Sequence, residues 1–130
     1  MLPLLQAVPQ PRIVKIASTT ASLTLANDPT TIFGREDTIV AYASSKAAVT
    51  MLTIQYANAF RRSELHSHIE INSATPGYIS TDLNKHSGNR TVEEGALANI
   101  LEDRPSGGFF NDAGSVPWVH PMFPTREKIY

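Results

Sequence analysis

The feature that most constrains the fold is a long helical pattern with a strand-like run on each side. Residues 40–62 carry apolar side chains at helical spacing, whereas residues 12–18 and residues 69–74 are short and mostly apolar, with β-branched side chains. A strand, a helix and a strand in that order form a right-handed crossover, and its two strands are parallel. The pattern therefore predicts an α/β fold built around a parallel sheet.

The predicted helix requires two neighbours. Its apolar side chains fall on two faces, which are Val49, Leu52, Tyr56 and Phe60 on one and Ala47, Met51 and Ile54 on the other. A helix that covers a sheet uses one of its faces for that contact. The second face predicts either a contact with another subunit or burial within the same fold, and the sequence leaves both open.

The remaining segments add short elements around this unit. We expect, in chain order, the end of a helix at residues 1–8, a long connection at 19–39, a short helix at 81–84, a capped helix from 91 to about 101, a short third strand at 106–110 and an irregular tail at 112–130. A chain of 130 residues supports a single core. Residues 1–130 are therefore predicted to form one domain with about three strands and crossover helices.

Composition excludes several classes of function. The 11 basic and 12 acidic side chains leave a net charge of −1, without the basic patch that nucleic-acid binding leaves. There is no cysteine for a disulfide or thiolate metal site, and the pairs His66 with His68 and Asp82 with His86 are expected to be solvated. No apolar run reaches the ~18 residues of a membrane span, and the start lacks the features of a signal peptide. We therefore expect a cytoplasmic protein without a nucleic-acid, membrane or metal partner.

The start of the predicted helix pairs a phenol with an ammonium group. In Tyr42-Ala43-Ser44-Ser45-Lys46, four residues of helix bring Tyr42 and Lys46 to the same face. A free phenol titrates near pH ~10, and a neighbouring cation favours the phenolate, which moves the group towards general acid or base work at neutral pH. Such pairs are also common on helix surfaces, so the surrounding motifs decide the meaning of this one.

Three groups are predicted to meet at one rim of the sheet. Ser18 closes the first strand, Pro76-Gly77 follows the second strand, and Tyr42 and Lys46 begin the helix between them. In an open parallel sheet, ligands bind in the crevice beyond the carboxyl ends of the strands. The sequence therefore predicts a binding site at this rim.

The arrangement resembles the catalytic half of the short-chain dehydrogenase/reductase family. That family has a serine closing a strand, a Tyr-x-x-x-Lys pair and a Pro-Gly turn after the next strand, matched in the same order here by Ser18, Tyr42, Lys46, Pro76 and Gly77. Asn72, the run Pro-Gly-Tyr-Ile-Ser-Thr and a late Ser-Gly-Gly-Phe-Phe extend the likeness from residue 1 to about residue 118. The resemblance implies a partial Rossmann-like, doubly wound parallel sheet.

The resemblance also implies an oxidoreductase that uses NADP or NAD and acts on a small alcohol or carbonyl compound. The implied catalytic residues are Ser18 to polarise the substrate oxygen, Tyr42 to exchange a proton with it and Lys46 to favour the phenolate. The residues implied to hold the nicotinamide end of the cofactor are Tyr42, Lys46, Pro76, Gly77, Ile79 and Thr81. The choice between NAD and NADP is not readable from these residues.

The chain departs from the family in its missing phosphate-binding motif. Its seven glycines form no Gly-x-x-x-Gly-x-Gly array, and the family's other N-terminal motifs do not precede Ser18. We therefore expect a truncated chain that can be inactive on its own and that forms a homo-oligomer or pairs with a complementing N-terminal half. The competing hypothesis is a catalytically silent interaction module that assembles through the helix of residues 40–62.

Overall fold

The computed structural model describes residues 2–35, 39–97 and 104–118, which contain one four-stranded sheet in the order β1-β2-β3-β4. The strands are β1 (Arg12–Ile16), β2 (Glu70–Ala74), β3 (Phe109–Asn111) and β4 (Gly114–Ser115). The first three are parallel, and β4 runs antiparallel to β3. The predicted α/β fold with a mainly parallel sheet is confirmed.

The helices of the described residues are α1 (Leu2–Gln6), α2 (Leu23–Ala26), α3 (Val40–Arg61) and α4 (Val92–Leu97), with 3₁₀ turns at Thr19–Ala21 and Asp82–Asn84. The predicted helix at residues 40–62 is α3, whose C-cap is Arg62. The predicted continuation of α4 to about residue 101 lies outside the described residues, as does the tail from residue 119 to residue 130. None of these helices has the length and hydropathy that crossing a bilayer requires.

Small side chains bring α3 close to one face of the sheet. The buried positions of α3 are Thr50, Thr53, Ala57 and Phe60. Thr53 Oγ1 lies 2.8 Å from Ser73 Oγ of β2, and beside this pair a core cluster comprises Ala57, Phe60, Ile69 and Ile71. Burying a Phe or Ile side chain contributes about 1.5–3 kcal/mol. This cluster therefore supplies much of the attachment of α3 to the sheet.

Several other large apolar side chains of α3 stay exposed. Met51, Leu52 and Tyr56 are 55%, 48% and 48% exposed. Phe60 is buried, and Val49 packs partly buried beside a second cluster of Ala17, Phe109 and Val116. The exposed side chains therefore come from both predicted faces, with Leu52 and Tyr56 from the first and Met51 from the second, whereas Ala47 and Ile54 are half-buried. The described residues cover neither face completely.

The strand β1 is covered on one face only, although a mostly apolar, β-branched run is typical of strands that are covered on both faces. Exposed and half-buried side chains alternate along the strand. Ile13 packs against the α3 cluster and Lys15 Nζ lies 5.7 Å from the Tyr56 ring centroid, whereas Val14 and Ile16 on the opposite face are 37% and 48% exposed. β1 is also the edge strand of the described sheet, in which it pairs with β2 alone.

Two elements were not predicted, namely α2 and β4. The connection at residues 19–39 contains a 3₁₀ turn and α2, and α2 begins where the Ser22 hydroxyl accepts a hydrogen bond from the Leu25 amide at 3.2 Å. The amide of Leu23 donates to the carbonyl of Trp118 at 3.1 Å. Strand β4 forms by pairing with β3 through a tight turn. Of these contacts, the bond from Leu23 to Trp118 joins segments far apart along the chain, so a local pattern does not reveal it.

Candidate active site

Ser18 lies just beyond the carboxyl end of β1. The amide of Ala17 still donates to the Ala74 carbonyl at 2.8 Å, which extends the parallel ladder one residue past the strand. Ser18 then has extended backbone angles and forms the N-cap of the 3₁₀ turn. Its Oγ accepts hydrogen bonds from Thr20 Oγ1 at 3.0 Å and from the Thr20 amide at 3.4 Å. The serine is therefore held by the turn that follows it.

Tyr42 and Lys46 lie in the first turns of α3. Lys46 Nζ is 5.7 Å from the centroid of the Tyr42 ring, as expected for side chains one helical turn apart. The same Nζ donates a hydrogen bond of 3.0 Å to the carbonyl of Ile16, the last residue of β1. Because Ile16 precedes Ser18 by two residues, Lys46 joins the Tyr42 side of the rim to the Ser18 side.

The Pro76-Gly77 turn belongs to the same rim. Thr19, directly after Ser18, places its Oγ1 3.2 Å from Oγ1 of Thr75, directly before Pro76. This contact spans the ends of two neighbouring parallel strands, as the crossover topology requires. The structure thus places the ends of β1 and β2 side by side, with Lys46 bound to the first of them.

The backbone after Gly77 is held by Arg90. Gly77 has a φ of +82°, and a Cβ added there would lie 2.8 Å from Arg90 Cδ. Ile79 and Arg90 form a parallel bridge, in which the Ser80 amide donates to the Arg90 carbonyl at 2.8 Å. Arg90 Nη1 lies 2.9 Å from Asp112 Oδ2, next to β3. Arg90 was not among the predicted site residues, because Gly77 and Asp112 lie far from it along the chain.

The segment from Thr81 to α4, called the outer wall below, follows the Gly77 turn and is joined to it by the bridge between Ile79 and Arg90. Thr81 is the N-cap of the 3₁₀ turn Asp82–Asn84, and its amide donates to Asn84 Oδ1 at 3.1 Å. The predicted capping box of α4 is confirmed, since the Thr91 amide donates to Glu94 Oε2 at 2.8 Å and the Glu94 amide donates to Thr91 Oγ1 at 3.2 Å. A groove of about 430 Å³ lies here, lined by Ser80, Gly88, Asn89, Arg90, Thr91 and Val92.

The polar groups of the outer wall pair with one another. Asp82 Oδ1 lies 2.9 Å from His86 Nε2, and both side chains are exposed. A hydrogen bond within Glu93 itself, and a second one from the Thr91 side chain, hold the pKa of the Glu93 carboxyl below its ordinary value. In the ranges that the structure describes, no group of three His, Asp or Glu side chains is arranged to hold a metal ion.

The rim carries the groups needed for hydrogen-bond and proton donation to an oxygen atom. It combines a serine hydroxyl at a strand end, a half-exposed phenol and an ammonium group, and the ammonium has donors beyond the one used by Ile16. Such a set can donate hydrogen bonds and a proton to an oxygen that gains negative charge. The group contains no thiol, because the chain has no cysteine.

Comparison with known proteins identifies the family to which this chain is similar. The sequence profile described as "short chain dehydrogenase" matches residues 1–91. Salutaridine reductase of Papaver somniferum is 28% identical over 148 residues, which cover 85% of this chain and 46% of that protein. Carbonyl reductase (NADPH) 3 of Rattus norvegicus is 41% identical over 56 residues, which cover 43% of this chain and 20% of that protein.

A solved structure shares the fold as well. The NADPH-bound carbonyl reductase from chicken fatty liver superposes with a TM-score of 0.68 and 26% identity, covering 90% of this chain and 49% of that one. This chain therefore spans about half the length of the chicken enzyme and of salutaridine reductase.

Proposed function

The chain belongs to the short-chain dehydrogenase family, and from this premise we propose that it carries the catalytic rim of a reductase for small carbonyl compounds. The reaction is hydride transfer between a nicotinamide cofactor and a carbonyl group, or the reverse reaction on an alcohol. The names of the relatives support the carbonyl assignment, since two of them are carbonyl reductases. The family membership does not favour a catalytically silent interaction module.

The single observation that carries the proposal is the position of Lys46. Its Nζ lies over the Tyr42 ring and also donates to the carbonyl of Ile16, two residues before Ser18. An ammonium group has three donor hydrogens, so one bond to Ile16 leaves two for other acceptors. One side chain therefore links the proposed proton donor to the strand end that carries the proposed oxygen-binding serine.

In the proposed reduction each side chain has one task. The Ser18 hydroxyl donates a hydrogen bond to the carbonyl oxygen, and a nicotinamide held beside Lys46 would supply hydride to the carbonyl carbon. The Tyr42 phenol gives its proton to the oxygen, which yields an alcohol and a phenolate. Lys46 stabilises the phenolate by its positive charge. Tyr42 is 47% exposed, so solvent can return the proton.

The residues present fit the nicotinamide end of such a cofactor. Lys46 has spare donors for a ribose hydroxyl, and the exposed backbone at Gly77 and Tyr78 offers peptide groups at the same rim. Pro76, Ile79 and Thr81 are proposed to line this end. The 130 residues contain no Gly-rich array for a pyrophosphate. We propose NADPH as the cofactor, because two of the relatives' names include it.

The phosphate end of the cofactor therefore needs a second contributor. We propose that a complementing N-terminal half supplies it, and that residues 1–130 form one partial Rossmann-like domain. The alternation of exposed and covered side chains along β1 supports this proposal, since it leaves Val14 and Ile16 available to a further element.

The experiment replaces Tyr42 by phenylalanine and assays NADPH oxidation with a panel of small ketones and aldehydes. Removing the proton donor should lower kcat by at least about a hundred-fold. Tyr56→Phe is a matched control, since Tyr56 is also on α3, is 48% exposed and has Lys15 Nζ 5.7 Å from its ring centroid. Turnover that survives in Tyr42→Phe, or a wild-type chain that is inactive even with added N-terminal half, would contradict the proposal.

A further inference from the structure

We propose that Thr20 is a positioning residue that makes the Ser18 hydroxyl a hydrogen-bond donor. The inference deepens the proposed function, on which it rests, because it concerns how the substrate oxygen is recognised. It is carried by two hydrogen bonds that converge on one atom. Thr20 Oγ1 donates to Ser18 Oγ at 3.0 Å, and the Thr20 amide donates to the same oxygen at 3.4 Å.

These two bonds use both acceptor positions of the serine oxygen. A hydroxyl has two lone pairs that accept and one hydrogen that donates. Among the described residues, the hydrogen bonds of Ser18 Oγ are the two from Thr20, and in both of them the serine is the acceptor. The hydrogen of Ser18 therefore remains for an acceptor outside this turn.

The direction of these bonds matters for the substrate. A carbonyl oxygen can only accept, so a serine hydroxyl that recognises it must donate. A hydroxyl that accepts a bond also becomes a better donor, since hydrogen bonds in a chain polarise one another. Thr20 thus orients the hydroxyl hydrogen of Ser18 and also strengthens the hydrogen bond that this hydroxyl donates.

The position of Thr20 holds this arrangement in place. Thr20 lies in the 3₁₀ turn Thr19–Ala21, which packs against α3, and it is partly buried. It also lines a cavity of about 210 Å³ together with Ala43 and Ser44, the residues that follow Tyr42. Thr20 therefore lies between the serine and the start of α3 without being one of the proposed reacting groups.

The first test compares Thr20→Val with Thr20→Ser in the NADPH assay. Valine keeps the shape and the amide but removes the Oγ1 donor, so kcat should fall between about two-fold and ten-fold with little change in KM for NADPH. Serine restores the hydroxyl and should restore kcat. Thr24→Val is the matched control, because Thr24 Oγ1 is buried and bonds to no partner within the described ranges. Equal kcat in Thr20→Val and wild type overturns the inference while leaving the proposed function intact.

The second test does not depend on activity. Three-bond couplings between Hα and Hβ in NMR spectra of the chain report the χ1 rotamer of Ser18. We expect one dominant rotamer in the wild type and in Thr20→Ser, and averaged couplings in Thr20→Val. Averaged couplings already in the wild type, or an unchanged single rotamer in Thr20→Val, overturn the inference. An inactive chain with the expected couplings would contradict the proposed function alone.

Discussion

At the scale of single residues, Gly77 is required for two separate reasons. Its φ of +82° lies in the left-handed region, and a Cβ there would lie 2.8 Å from Arg90 Cδ. Arg90 is held in turn, because its Nη1 lies 2.9 Å from Asp112 Oδ2 and its Nη2 donates to the Glu94 carbonyl at 3.2 Å. The turn that is proposed to meet the nicotinamide is therefore shaped by an arginine from a later segment.

We predict that Gly77→Ala lowers the free energy of unfolding by about 1–3 kcal/mol through backbone strain and contact with Arg90. Gly114→Ala is the control, since Gly114 also has a positive φ, of +128°, but a Cβ there has no neighbour within 4 Å. Denaturant titration of both variants separates strain from contact. An equal loss in the two variants would show that Arg90 does not press on the turn.

At the scale of elements, the segment between β1 and α3 is organised by side-chain caps. Asp28 Oδ1 accepts hydrogen bonds from Thr30 Oγ1 at 2.6 Å and from the Thr30 amide at 2.8 Å, and the Gly34 amide donates to Thr31 Oγ1 at 3.0 Å. The Thr30 side chain, followed by the Thr30 amide, holds the pKa of the Asp28 carboxyl below its ordinary value of 3.8. These polar bonds order a loop that has little apolar burial of its own.

This shift predicts how the turn responds to acid. A carboxyl whose pKa is lowered by folding stabilises the folded state above its ordinary value of 3.8, and this contribution disappears as the pH falls through the lowered pKa. Asp28→Asn keeps the acceptor oxygen but removes the titration. Its unfolding free energy should therefore fall less than that of the wild type between about pH 5 and about pH 2. Parallel pH profiles for the two proteins would refute this role of Thr30.

At the scale of the whole molecule, apolar side chains of β1 and α3 lie exposed within the ranges that the structure describes. The outer face of β1 exposes Val14 and Ile16, and the outer face of α3 exposes Met51, Leu52 and Tyr56. An edge strand also presents unpaired peptide groups, which favour the addition of another strand. The fold therefore provides two candidate surfaces for association, one on the sheet and one on the helix.

We predict that the isolated chain associates through β1 rather than α3. Val14→Lys places a charge beside the open edge and should shift the chain towards the monomer in sedimentation velocity experiments. Met51→Lys places the same charge on the exposed helix face and should leave the distribution unchanged. A wild type that is monomeric at high concentration would contradict the prediction, and a shift caused only by Met51→Lys would assign the association to α3.

The sequence by itself determined the elements whose signals are local. The 3.6-residue period of α3, the β-branched runs of β1 and β2 and the capping box of α4 each depend on neighbours within a few positions, and each is found where it was predicted. The pairing of Tyr42 with Lys46 is local in the same sense, because one helical turn separates them. The strand-helix-strand order then sufficed for a parallel sheet.

Only the tertiary structure decided the features that join distant segments. α2 is held by Trp118, and the Gly77 turn is shaped by Arg90 and Asp112. Which apolar side chains of α3 are buried was also decided there, since Thr50, Thr53 and Ala57 fit against the sheet where Leu52 and Tyr56 do not. Close packing selects side chains by shape as well as by hydrophobicity, and a local sequence pattern does not determine the shape of the partner surface.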